Sequence, residues 1–140
     1  MILVIGYGNE LRRDDAAGPI AARLVAAWNL PGVEAMTAHG LAPELAEPLS
    51  QAERAVFIDA AENGRVEAVL LTPEPAPSLG HSAGPGWLLG LAESTYGRRP
   101  PAWLVTVPAE DLGHGEGLTD TARAGVADAL GEVRRCMKLA

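Results

Sequence analysis

Two adjacent carboxylates, Asp14 and Asp15, follow the first apolar run of the chain, and a third, Asp59, closes a later one. His39, His81 and His114 are the imidazoles. Carboxylates combined with an imidazole can trade protons as general acids and bases, or hold zinc, nickel or a similar ion with coordination positions left open. Asp15, Asp59 and His81 make such a set, but no local spacing motif joins them. Only a fold that gathers distant segments could bring them together. No Ser or Cys stands in a nucleophile-elbow setting, and Cys136 lies at the end of the last helical pattern, so covalent nucleophilic catalysis is not expected.

The acidic pair has an unusual setting. The chain begins as a strand, turns at Gly6-Tyr7-Gly8-Asn9, reaches Asp14-Asp15 and continues as a helix. Strand, glycine turn and helix in that order usually present a helix N-terminus to a phosphate. Here two carboxylates would repel a pyrophosphate, and Glu10-Leu11 stand where the third glycine of a dinucleotide loop belongs. The pair suits a cation or acid–base chemistry. The simplest division of labour makes Asp14 the helix cap and turns Asp15, in the first turn, into the cleft. On that reading Asp14→Asn is tolerated and Asp15→Asn is damaging. Asp59 follows Val56-Phe57-Ile58 directly, and an ionised carboxylate leaving a buried strand needs a partner. Tyr7 reads as packing or lining, and Leu24 with Trp28 as core.

These groups need a scaffold, and the rest of the chain describes one. Residues 1–6 form a continuous apolar run, the mark of a strand buried on both faces. Ala17, Ile20, Ala21, Leu24, Val25 and Trp28 keep helical spacing until Pro31. A second strand covers Val33 to Thr37, a short helix starts at Pro43, a third strand runs over 55–58 to end at Asp59, and a fourth covers Val66 to Leu71. Asn63-Gly64 is a tight-turn signal, so the third and fourth strands either form a hairpin or are joined without being neighbours. Residues 73–86 are too rich in Pro and Gly for an element. A helix carrying Leu88, Leu91, Ala92 and Thr95 ends near Gly97, a fifth strand spans 103–107, and a last helix carries Ala122, Val126, Ala129, Leu130 and Val133. Alternation of this kind predicts an α/β three-layer sandwich: five strands, mostly parallel with one antiparallel, and helices on both faces. Ligands of such sheets bind beyond the carboxyl ends of the strands. That end would receive Asn9, Asp14, Asp15, His39, Asp59, His81, Glu110, Asp111 and His114.

Composition narrows the partners. A chain of 140 residues reads as a single domain, 1–140, and an apolar content of 48% makes it globular. Its net charge of −7, without a basic run, argues against nucleic acid and anionic membrane as partners. A lone cysteine fits a reducing cytoplasm, Met1 leads into a strand without a cationic segment, and no apolar run approaches membrane-spanning length.

Taken in order, the motifs resemble the hydrogenase maturation endopeptidases over nearly the whole chain. Gly6-Tyr7-Gly8-Asn9-Glu10-Leu11-Arg12-Arg13-Asp14-Asp15, followed by Gly18, resembles that family's Gly-x-Gly-Asn-x-Leu-x-x-Asp-Asp/Glu signature. His39-Gly40-Leu41-Ala42-Pro43-Glu44-Leu45 resembles a His-x-Leu-x-Pro-Glu-Leu segment, Phe57-Ile58-Asp59-Ala60 the strand-end aspartate, His81 with Pro85, Leu88 and Leu89 the histidine loop and its helix, and Gly115-Glu116-Gly117-Leu118-Thr119 the stretch before the last helix. The resemblance implies a five-stranded sheet between helices and removal of a C-terminal extension from a nickel–iron hydrogenase large-subunit precursor after nickel insertion. It implies Asp15, Asp59 and His81 as catalytic and metal-contacting residues, and Asn9 and His39 as substrate-binding. Nickel would arrive with the substrate, with zinc or cadmium able to replace it in vitro, and no organic cofactor is implied. The protein would act as a monomer or weak homo-oligomer. The resemblance does not choose between Asp15 and Asp59 as base. One departure is Ala16, where a glycine often follows the acidic pair, so the turn must do without a residue free to take positive φ.

Two other readings share some features. A phosphoryl-receiver domain also has an early acidic pair and a strand-end aspartate, but it needs a Lys after the fifth strand, where this chain has Val107-Pro108-Ala109. A non-catalytic metal- or partner-binding module would use the same carboxylates without cleavage.

Overall fold

The computed structural model describes residues 1–75 and 83–138. Its elements, in chain order, are β1 (Ile2–Tyr7), α1 (Ala17–Ala27), β2 (Val33–Ala38), α2 (Ala46–Gln51), β3 (Arg54–Glu62), β4 (Glu67–Leu70), α3 (Pro85–Tyr96), β5 (Ala102–Ala109) and α4 (Asp120–Lys138). Single 3-10 turns at Arg13–Ala16 and Pro43–Leu45 lead into α1 and α2. The five strands form one sheet in the order β2-β1-β3-β5-β4. All pairings are parallel except β4 against β5.

The predicted layers are present, and the strands explain them by alternation. Leu3, Ile5, Ala55 and Phe57 point to one face, where they pack with Leu49 of α2 and Leu88, Leu89 and Ala92 of α3. Val4, Val56, Ile58, Val105 and Val107 point to the other, against Ala17, Ala21 and Val25 of α1 and Val126, Ala129 and Val133 of α4. Because β1 and β3 are covered on both faces, their central residues are all apolar. Cys136 is buried in the second layer. Among the described residues no helix is long and apolar enough to cross a membrane.

Several expected boundaries shift. β3 and β4 are not a hairpin: β4 lies beyond β5 and pairs with it at the sheet edge. The Asn63-Gly64 turn therefore joins strands that are not neighbours. β3 does not end at Asp59 but continues to Glu62, because β5 keeps pairing with it as far as Glu62–Ala109. Leu24 is 43% exposed rather than core, since α1 turns Ala21, Ala22 and Val25 inward instead. Trp28 is partly buried, and the Arg134 guanidinium lies 3.9 Å from its ring centroid. On α3 the inward face is Leu88, Leu89 and Ala92, and Thr95 is exposed.

Strand order also locates the ligand end. From β1 the chain moves outward to β2 and then returns to the other side of β1 as β3. The crevice beyond β1 and β3 is the topological switch point, where open α/β sheets bind ligands.

Candidate active site

At that crevice β1 lets go of β3. Their last paired residues are Gly6 and Ile58, whereas β3 stays paired with β5 through Asp59–Thr106 and beyond. Asp59 is thus held by a strand on one side and freed on the other. Alternation puts it on the face of Phe57, and Tyr7 on the face of Ile5, so both point toward the α2–α3 layer. An open cleft of about 410 Å³ forms there, with Tyr7, Gly8, Asp15, His39, Asp59 and Ala83 among its walls.

Asp15 comes to this cleft by a tightly fixed turn. The Asn9 amide donates to its Oδ2 at 2.7 Å. Gly8 has φ +150°, and a Cβ there would meet the Asp15 carbonyl oxygen at 2.0 Å. Only glycine fits. The Gly8 amide donates to the Ala38 carbonyl at 3.0 Å, which ties the turn to the end of β2 and to His39 beyond it. The Asn9 side chain accepts from the Leu11 amide at 2.9 Å and so holds the turn itself.

Asp59 has an unfavourable place for a charge. Burial raises its pKa from 3.8 to about 6, and the Asp15 charge pushes the same way; the Tyr7 hydroxyl and the Ala60 amide, donating to it, pull it partly back. The Tyr7 phenol is itself pushed up, first by burial and then by the Asp59 charge. A buried carboxylate whose ionisation is opposed by the neighbouring Asp15 charge is an arrangement that a cation relieves. In the sequence Tyr7 reads as packing or lining, and its residue type carries no further signal. Its contact with Asp59 follows from strand register alone. Tyr7→Phe keeps the ring and removes one hydrogen bond, so stability should change by about 1 kcal/mol or less. The Asp59 titration, followed by carboxyl NMR in the metal-free protein, should move above its wild-type midpoint. An unchanged midpoint would show that the hydroxyl does not serve Asp59.

Asp14 does something other than cap a helix. It sits in a 3-10 turn without a side-chain capping bond, and it is completely buried. Its Oδ2 accepts from the Glu110 amide at 2.9 Å, the Asp111 amide at 3.1 Å and the Thr119 hydroxyl at 2.7 Å, while Oδ1 accepts from the Thr119 amide at 2.8 Å. Burial alone would raise its pKa, but the donors from Thr119, Glu110 and Asp111 outweigh it and hold the carboxyl below its ordinary value. Asp14 is therefore the anchor of the 109–119 loop.

That loop accounts for the other polar residues expected at this end. Asp111 pairs with Arg13 at 3.4 Å, and Glu110 accepts from the Thr121 hydroxyl. Neither these nor the exposed His114 lines the cleft. Ala16 has φ −74°, so no glycine is needed there; the positive φ falls instead on Arg13, at 44°. Of the expected site residues, Asp15, Asp59 and His39 meet at the cleft, Asn9 braces Asp15 from its edge, and His81 lies outside the described residues. Among the described residues no three His, Cys, Asp or Glu side chains gather closely enough to hold a metal ion.

Comparison with known proteins gives this arrangement a context. No protein-family model and no curated protein sequence matches the chain. Solved structures do. An endopeptidase from Escherichia coli, known in solution, is 30% identical, with a TM-score of 0.74 over 98% of this chain and 91% of that one. The hydrogenase maturating endopeptidase HybD from E. coli is 26% identical, with a TM-score of 0.76 over the same shares. The [NiFe] hydrogenase maturation protease HybD from Thermococcus kodakarensis shares the fold at 22% identity, with a TM-score of 0.69 over 96% of this chain and 97% of that one. Together with the cleft at the sheet's switch point, these likenesses show that the chain belongs to the hydrogenase maturation endopeptidases.

Proposed function

We propose that this endopeptidase cleaves the C-terminal extension from a nickel–iron hydrogenase large-subunit precursor once nickel is in place, and that it does so in the cytoplasm. The observation that carries the reading is the pairing of Asp15 and Asp59 on one open cleft, in a chain whose relatives include a hydrogenase maturating endopeptidase. A buried Asp59 beside the Asp15 carboxylate favours a cation, and the precursor supplies one as part of the substrate. Nickel held by the precursor and touched by Asp15 and Asp59 would place the scissile bond, and one of the same carboxylates would activate water. His81 completes the ligand set in this proposal. Its near neighbour Ala83 lines the same cleft. Asn9 braces the turn, and His39, exposed on the opposite wall, contacts the arriving chain.

This mechanism makes metal loading the condition of cleavage. Incubated with the purified protein, a nickel-loaded precursor should lose its C-terminal extension, and the nickel-free precursor should remain intact. Mass spectrometry of the precursor reads both outcomes. Equal cleavage of the two would remove nickel from the mechanism, and cleavage of neither would remove the proposed substrate.

A further inference from the structure

The cleft does not end at Asp15 and Asp59. A second cavity of about 350 Å³ shares Gly8 and His39 with it and extends along Asn9, Glu10 and Leu11 on one side and Thr37 and Ala38 on the other. Leu11 stands 62% exposed at this cavity. Exposed leucines are common, but this one is not on a loose loop. Its amide donates to Asn9 Oδ1 at 2.9 Å, its carbonyl accepts from the Gly115 amide at 2.9 Å, and the next residue, Arg12, bridges to Gly115. An apolar side chain on a backbone pinned from both sides presents contact area with little ordering left to do. Among the described residues the one acidic group of the cavity, Glu10, is paired with Arg23 at 2.7 Å, so these residues offer it no free carboxylate.

We infer that this second cavity is a subsite for the precursor chain next to the scissile bond, that it takes an uncharged, largely apolar residue, and that Leu11 is its specificity contact. The inference rests on the proposed protease activity. Its occupant follows from continuity: a chain whose metal centre sits at Asp15 and Asp59 must leave the cleft somewhere, and past Gly8 and His39 it meets Leu11.

Leu11→Ala and Leu11→Asp test it, because so exposed a side chain can be changed without disturbing the core. For nickel-loaded precursor, Leu11→Ala should raise KM about tenfold, Leu11→Asp should raise it further, and kcat should stay within about twofold. Cadmium binding by calorimetry and the melting temperature should match the wild type in both. Direct binding of precursor to immobilised enzyme, measured beside cleavage, separates this inference from the activity it rests on. If the wild type binds the precursor without cleaving it, the protease reading fails, while a tenfold weaker Leu11→Ala complex still supports the subsite. Wild-type precursor affinity and kcat/KM in both variants would overturn the subsite. So would a change in sedimentation of Leu11→Asp with processing intact, since Leu11 would then serve self-association.

Discussion

Asp59→Asn is expected to abolish precursor processing and, at the same time, to make the metal-free protein more stable at neutral pH. The two effects share a cause. Asp59 ionises at about 6 in the fold, against 3.8 for an unhindered side chain. A carboxyl whose folded pKa is raised costs stability once it ionises: its favourable contribution is complete below pH 3.8 and is lost as the pH rises through 6. A gap of about two pKa units is worth about 3 kcal/mol, and solvent in the open cleft reduces this to about 1–3 kcal/mol. The Asn variant is neutral throughout and escapes the loss. Urea unfolding should show it more stable than wild type at pH 7, with the difference nearly gone at pH 4. Lower stability than wild type at pH 7 would contradict the burial argument, and wild-type cleavage would remove Asp59 from the site.

Asp14→Asn should do the reverse, lowering stability by about 2–4 kcal/mol, while the adjacent Asp15→Asn costs little stability and loses cleavage. Four donors converge on the two oxygens of a buried Asp14 carboxylate. An amide replaces one oxygen with an NH₂ that must face donors it cannot accept from, and it removes the charge that strengthens the rest. The pH dependence also has the opposite sign. Because the folded pKa is depressed, the Asp14 contribution is complete above the unfolded value of 3.8 and is lost as the pH falls through the lower folded one. Melting temperatures of the two variants at pH 7, with precursor cleavage, separate the roles. Equal stability loss in both, or none in Asp14→Asn, would mean that the four hydrogen bonds do not carry the loop.

The sequence made the architecture readable because each face of each strand keeps one kind of residue. Val4 and Val56 with Ile58 face one helical layer, and Leu3 and Ile5 with Phe57 face the other. Alternating strands and helices left few arrangements for such runs. The position of β4 was not readable, because Asn63-Gly64 marks a reversal and says nothing of which strand is met afterwards. Asp59 was found because a carboxylate directly after a buried apolar run is costly. The strand runs past Asp59 because only β1 departs there while β5 stays paired, which no local residue signals. Asp14 and Asp15 are equal by residue type and adjacent by number. What divides them is a loop about a hundred residues away, and no local pattern contains that information.

The bonds between the Asp14 turn and Thr119 cross 105 residues of chain. During synthesis, Asp15 therefore emerges long before the segment that fixes its neighbourhood, and contacts of such sequence separation are among the slow ones to form. Until Thr119 has been made, Asp14 lacks two of its four donors. A ribosome-bound or truncated chain that stops short of Thr119 has both cleft carboxylates but lacks two of the bonds that fix the turn beside Asp15. The proposed trimming of another protein's C-terminus thus depends on a late segment of the enzyme's own chain.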